Sequence, residues 1–157
     1  MRRAIGVGLI LMLGGTVAMA HAQNGSPRER PHLPLELLPD TLAICRLEAG
    51  APLPRWADGP SSFLTVSRTA DELSITAPQR VVPADAKCER DYRAFRVRGP
   101  LPLNLVGILA SIADPLAQVG LSIFAISTYD TDYVLVKSVD LQAALEALER
   151  AGHRVTR

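Results

Sequence analysis

The densest group of side chains able to do chemistry is Ser127-Thr128-Tyr129-Asp130-Thr131-Asp132. Two carboxylates and three aliphatic hydroxyls fall within six residues. Asp130 or Asp132 could hold an ammonium or a guanidinium group by charge-assisted hydrogen bonds. Two sharper chemistries fit less well. Ser127, His153 and Asp130 name a Ser-His-Asp set, but Ser127 has no nucleophile-elbow sequence around it and His153 lies near the end of the chain. The Asp-x-Asp spacing of 130 and 132 suits a cation, yet the Gly and the distant Glu of a calcium loop are absent. No phosphate loop is present. The expectation is therefore no catalytic residues, no metal and no cofactor. The bland alternative is that both aspartates are turn residues, since Asp and Thr readily bond their own backbone.

Two cysteines, Cys45 and Cys88, are the remaining reactive side chains. In an exported protein they could form one disulfide. Cys45, inside an apolar run, could equally be a small buried hydrophobe. Their spacing excludes a Cys-x-x-Cys redox motif. His32 has no second ligand-type residue at metal-binding spacing and is expected in a solvated loop.

The formal charge of +1 offers no electrostatic case for nucleic acid. With 48% hydrophobic but only 4% aromatic residues, the core must be built from Leu, Ile, Val and Ala. Met1-Arg2-Arg3, the uncharged apolar run Ala4 to Ala18 and Ala20-His21-Ala22 follow the three-part pattern of a signal peptide over residues 1–22. The run is short for a membrane span, and no later segment qualifies. A periplasmic or secreted protein, not membrane-bound once the leader is removed, is expected. Translation from Met19 would instead leave a cytoplasmic one. About 125–135 residues would remain after cleavage, enough for one full domain or two very small ones. Residues 23–39, polar and then Pro-rich, read as a linker.

The elements that must position the polar group follow from local pattern. Residues 41–47, 63–67 and 73–76 read as strands, with a helical turn near 55–57. Residues 81–91, with Pro83, Asp85, Lys87, Glu89 and Arg90, read as a surface connection. Residues 92–98 alternate apolar and basic positions, the mark of a half-buried strand. Leu105, Ile108, Leu109, Ile112, Leu116 and Val119 recur at helical spacing within 103–119, where Pro115 must kink the helix or begin its last turns. Gly120 ends that helix. Residues 121–126 and 133–136 are strands joined by the polar turn, so the polar atoms collect at one end of a hairpin. Asp140 is placed to cap a helix over 141–151, and residues 153–156 form a final strand. The order strand-helix-strand-strand-helix-strand predicts an α+β, ferredoxin-like (βαββαβ) fold with both helices on one face. The halves also echo one another. Cys45-Arg46-Leu47 before Gly50 and Pro52-Leu53-Pro54 parallels Phe95-Arg96-Val97 before Gly99 and Pro100-Leu101-Pro102. This predicts two units, a degenerate one over 40–91 and a full one over 92–157.

At Asp71-Glu72-Leu73-Ser74-Ile75, and from Leu109-Ala110-Ser111-Ile112-Ala113 through Ser127-Thr128 to Tyr133-Val134-Leu135-Val136, the sequence resembles ACT-domain proteins. It is most similar to small bacterial proteins with two ACT-like units that resemble the animal arginine sensors. The regulatory domains of aspartate kinases are similar more distantly, through the pattern around Gly120 to Thr128. The resemblance implies regulatory binding of an amino acid, without catalysis, at the interface between ACT units. It implies contacts from the loop entering the first helix (Asn104, Leu105, Gly107, Ile108 and Leu109). Facing them would be the strand end and turn (Phe124, Ser127, Thr128, Asp130 and Asp132). Asn104 could also simply cap the helix. A helix N-terminus presents free N–H groups to a carboxylate, and Gly107 lets a ligand approach the backbone. Homo-oligomers built through ACT sheets are implied too. A module for protein interaction without any small ligand is the alternative.

Overall fold

The computed structural model describes residues 30–157. The expected leader lies outside these residues. Eight strands form one mixed sheet: β1 (Pro34–Leu37), β2 (Leu42–Leu47), β3 (Thr65–Arg68), β4 (Leu73–Pro78), β5 (Cys88–Val97), β6 (Phe124–Ser127), β7 (Asp132–Lys137) and β8 (Arg154–Thr156). Among the described residues, two helices, α1 (Ile108–Gln118) and α2 (Leu141–Arg150), accompany the sheet and make the fold α+β.

β5 is the organising element. Its first half pairs with β2, which leads outward through β4 to β3. Its second half pairs with β7 on one edge and β1 on the other. β7 then pairs with β6, and β1 pairs in parallel with β8. Numbered within each half, the strands lie in the spatial order second, third, first, fourth. β5 is the fourth strand of the leading half and the first of the trailing half. The trailing half follows the ferredoxin-like order with one change: β1 is inserted between β5 and β8.

That insertion corrects the expected linker over 23–39, which ends in a central strand. Leu33, Leu35 and Leu37 all point into the core, at most 8% exposed. Their period-2 alternation was obscured by Pro31, Pro34 and Pro39. Pro34 takes the first position of the strand, where a missing N–H is tolerated.

The expected surface connection over 81–91 is also corrected at its end, because β5 begins at Cys88. Between the pairs Leu42↔Tyr92 and Ile44↔Glu89, β5 advances three residues while β2 advances two, which is a bulge. Asp91 absorbs it at φ 64°, and the Gln79 carboxamide grips both its backbone N–H (2.7 Å) and its carboxylate (3.0 Å). Phe63, expected in a strand, instead packs edge-on against Tyr133 at 5.0 Å.

α1 and α2 cover one face of the trailing half. Ile112, Leu116, Ala144 and Leu148 bury themselves against Phe95, Val97, Val134 and Val136. α1 begins at Ile108 rather than near Leu103, since Pro102–Leu105 forms a turn and Gly107 sits at φ 86° just ahead of the helix. Asp140 precedes α2 without making a side-chain cap, because a 3-10 turn over Ser138–Asp140 leads into the helix. The leading half has only short 3-10 turns in place of helices. Trp56, Ala57 and Val82 cover its strands, and the register pair Cys45↔Cys88 is closed as a disulfide from β2 to β5.

Candidate functional site

The β6–β7 hairpin is closed by a tight polar turn. Thr128 N–H and its hydroxyl both donate to Thr131 C=O, at 2.8 and 2.9 Å. Ser127 and Asp132 are the last cross-strand pair, and the Ser127 hydroxyl donates to Asp132 Oδ1 at 2.5 Å. The turn is pinned to the segment leaving β5. Leu101 N–H donates to Asp130 C=O at 2.8 Å, and the Thr131 hydroxyl donates to Val97 C=O. Gly99 is required for this closeness: a Cβ there would lie 2.6 Å from Asp130 O.

This clamp brings the loop before α1 against the end of the hairpin. Between them lies a small concavity of about 190 Å³. Its walls include Leu105 and Ile108 on one side and Ser127, Thr128 and Asp132 on the other. Five of the ten residues singled out from the sequence are thus brought together. The other five do not line it. Asn104 sits exposed inside the Pro102–Leu105 turn, four residues before the first residue of α1 and not capping it. Gly107 precedes α1, and Leu109 points outward at 37% exposure. Phe124 packs with Leu42 and Leu135 on the face of the sheet away from the helices. Asp130 contributes its carbonyl to the clamp on Leu101. Leu101, Pro102, Leu103, Tyr129 and Thr131 line the concavity but were not among the candidates. Only Tyr129 and Thr131 gave a signal, by lying within the polar run. The rim is apolar and open, with Leu103, Val106 and Tyr129 each more than 70% exposed.

His153 makes no hydrogen bond to Ser127 or Asp130. It is 5% exposed, and both ring nitrogens are engaged. Leu33 N–H donates to Nδ1 at 3.1 Å, which fixes the proton on Nε2, and Nε2–H donates to Ser111 C=O at 2.9 Å. Ser127 is bonded to Asp132 instead. The hypothetical triad is therefore not assembled.

On the opposite face, Arg96 Nη2 donates to Glu36 at 2.5 Å. This bond holds the guanidinium above its ordinary range; burial opposes it, and the Glu36 charge and Tyr133 reinforce it.

Residues 87–150 match the family model of the ACT domain. The chain belongs to the ACT-domain family. Residues 40–85 of this ACT-domain protein match a second model, for an N-terminal domain. A crystal structure from Agrobacterium tumefaciens is 36% identical, with 80% of this chain and 93% of that one aligned at a TM-score of 0.75. The Mus musculus protein named cytosolic arginine sensor for mTORC1 subunit 1 is 38% identical over 104 residues, 59% of this chain and 31% of the mouse protein. This ACT-domain protein thus spans less than a third of that relative's length. The regulatory subunit of aspartate kinase from Thermus flavus shares the fold at a TM-score of 0.54 and 13% identity, over 77% of this chain and 99% of that one. ACT domains are regulatory.

Proposed function

We propose that this ACT-domain protein is a non-catalytic sensor that binds a free amino acid at the concavity between the pre-α1 loop and the β6–β7 turn. The observation that carries the reading is the convergence of Asp132, Ser127 and Thr128 on the apolar wall of Leu105 and Ile108, beside the start of α1. Ser127 engages one oxygen of Asp132, so the other is available to a ligand ammonium or guanidinium. The first N–H groups of α1 favour the ligand carboxylate. The arginine sensor among the relatives makes a cationic amino acid the first candidate.

A concavity of about 190 Å³ falls below the ~300 Å³ at which ligand pockets usually begin. Its apolar rim supports a site completed by a second ACT unit, in a homo-oligomer. The leading half is read as a degenerate ACT unit. Its strand order supports this, although residues 40–85 match a family model other than that of the ACT domain. The Cys45–Cys88 disulfide and the basic-apolar start of the sequence support an exported protein.

The test is a thermal-shift screen of the oxidised protein against the amino acids. A ligand of the folded state stabilises it by RT ln(1 + [L]/Kd), about 2.7 kcal/mol at 100-fold Kd, and so raises the midpoint. A cationic amino acid should give a shift that Asp132→Ala abolishes. A shift with a neutral amino acid would keep the sensor and remove Asp132 from its recognition. A flat screen of folded protein would favour assembly through the exposed Leu103–Val106 loop without a ligand.

A further inference from the structure

The turn that walls the amino-acid concavity has a second side. Behind it, on the sheet face turned away from α1 and α2, is a larger depression of about 610 Å³. Its floor follows from register. Glu36 pairs with Arg96, and Arg96 pairs with Tyr133, so their side chains form one row across β1, β5 and β7. Thr156 and Ile126 extend the row to β8 and β6. Phe63 and its neighbours cover this face beside Tyr133 and Leu135 but leave the Glu36–Arg96 stretch open.

Two arginines, Arg96 and Arg98, and two carboxylates, Glu36 and Asp130, line the depression. Arg96 and Glu36 satisfy each other through one N–H···O bond, yet the Arg96 side chain remains 41% exposed. A guanidinium carries five N–H donors, so one bond leaves capacity. Arg98 stands on the rim, with a single long contact of 3.4 Å to the Thr156 hydroxyl. The hydroxyls of the turn are already used: Thr128 donates to Thr131 C=O and Thr131 to Val97 C=O. Glu36 neutralises Arg96 and Asp130 also lines the depression, so recognition rests on the free N–H donors of Arg96 and Arg98 rather than on a surplus of charge. Planar guanidinium groups match carboxylate and phosphate oxygens.

We propose that this depression is a second binding site, for a small organic anion whose carboxylate or phosphate group lies between Arg96 and Arg98. It shares Thr128 and Thr131 with the amino-acid concavity, but none of Asp132, Ser127 or Ile108 lines it. Its volume is far more than a bare inorganic ion fills.

The test is calorimetric titration of the oxidised protein with succinate, glycerol 3-phosphate and inorganic phosphate. Saturable binding of succinate or glycerol 3-phosphate is expected, and whichever binds identifies the anionic group. Arg98→Gln should weaken it at least tenfold, and Asp132→Ala should leave it unchanged. Because Arg96→Gln alone would strand Glu36, the paired variant Glu36→Gln/Arg96→Gln provides the second readout, again with at least a tenfold loss. The proposal is overturned if neither organic anion binds, if only inorganic phosphate does, or if both variants bind like the wild type. Failure of the Asp132-dependent amino-acid shift would leave these outcomes untouched.

Discussion

Pro115 lies inside α1 and has no N–H to give to Ser111 C=O, four residues back. That carbonyl would be orphaned in the core. His153 supplies the missing donor through Nε2–H and takes Leu33 N–H on Nδ1, so one imidazole ties α1, β1 and the start of β8 together. His153→Ala should cost about 3 kcal/mol, from two buried hydrogen bonds and the space left behind, measured by urea denaturation. Pro115→Ala restores the helical donor to Ser111. The double variant should therefore be less destabilised than the sum of the single ones, by roughly 1 kcal/mol in a double-mutant cycle. None of this was legible in the sequence, where His153 reads as a residue near a fraying end. Its partners are 120 and 42 positions away. The two aspartates of the turn teach a related lesson. They are chemically identical and two residues apart, yet Asp132 opens β7 beside Ser127 while Asp130 gives its backbone to Leu101. Composition placed both at the hairpin end; only the turn's attachment to Val97 and Leu101 separates their roles.

At the scale of elements, the trailing half was the more legible. Its helices announce themselves by three- and four-residue apolar spacing, and its hairpin by two apolar runs around a polar turn. The misread elements share a cause. β1 and the start of β5 are rich in Pro or charge, and they are strands because long-range partners pair with them. β5 also explains the disulfide. Cys45 and Cys88 face each other in register between β2 and β5, closing a loop with a sequence separation of 43. For such a loop the chain-entropy relation gives about 4 kcal/mol. The leading half, without a helix to cover it, depends on that constraint. Reduction of the protein, or the Cys45→Ala/Cys88→Ala variant, should lower the urea midpoint by an amount equivalent to about 2–4 kcal/mol. An unchanged midpoint after reduction would show that β2, β4 and β3 are held by packing alone.

For the molecule as a whole, the consequence of β1 is topological. A strand from the front of the chain occupies the slot between β5 and β8, antiparallel to one and parallel to the other, and fills it with Leu33, Leu35 and Leu37. Remove it, and two sheet edges face each other across a gap one strand wide, lined by apolar side chains. The fold is therefore a natural two-piece assembly. A chain starting at Thr41, mixed with a synthetic peptide of residues 30–40, should regain native near-ultraviolet circular dichroism only when both are present. Its melting point should rise with peptide concentration, as for any ligand of the folded state. Peptides with Leu35 replaced by Asp should fail to complement. In that arrangement the first strand behaves as a detachable key, and the remaining sheet as the lock cut for it.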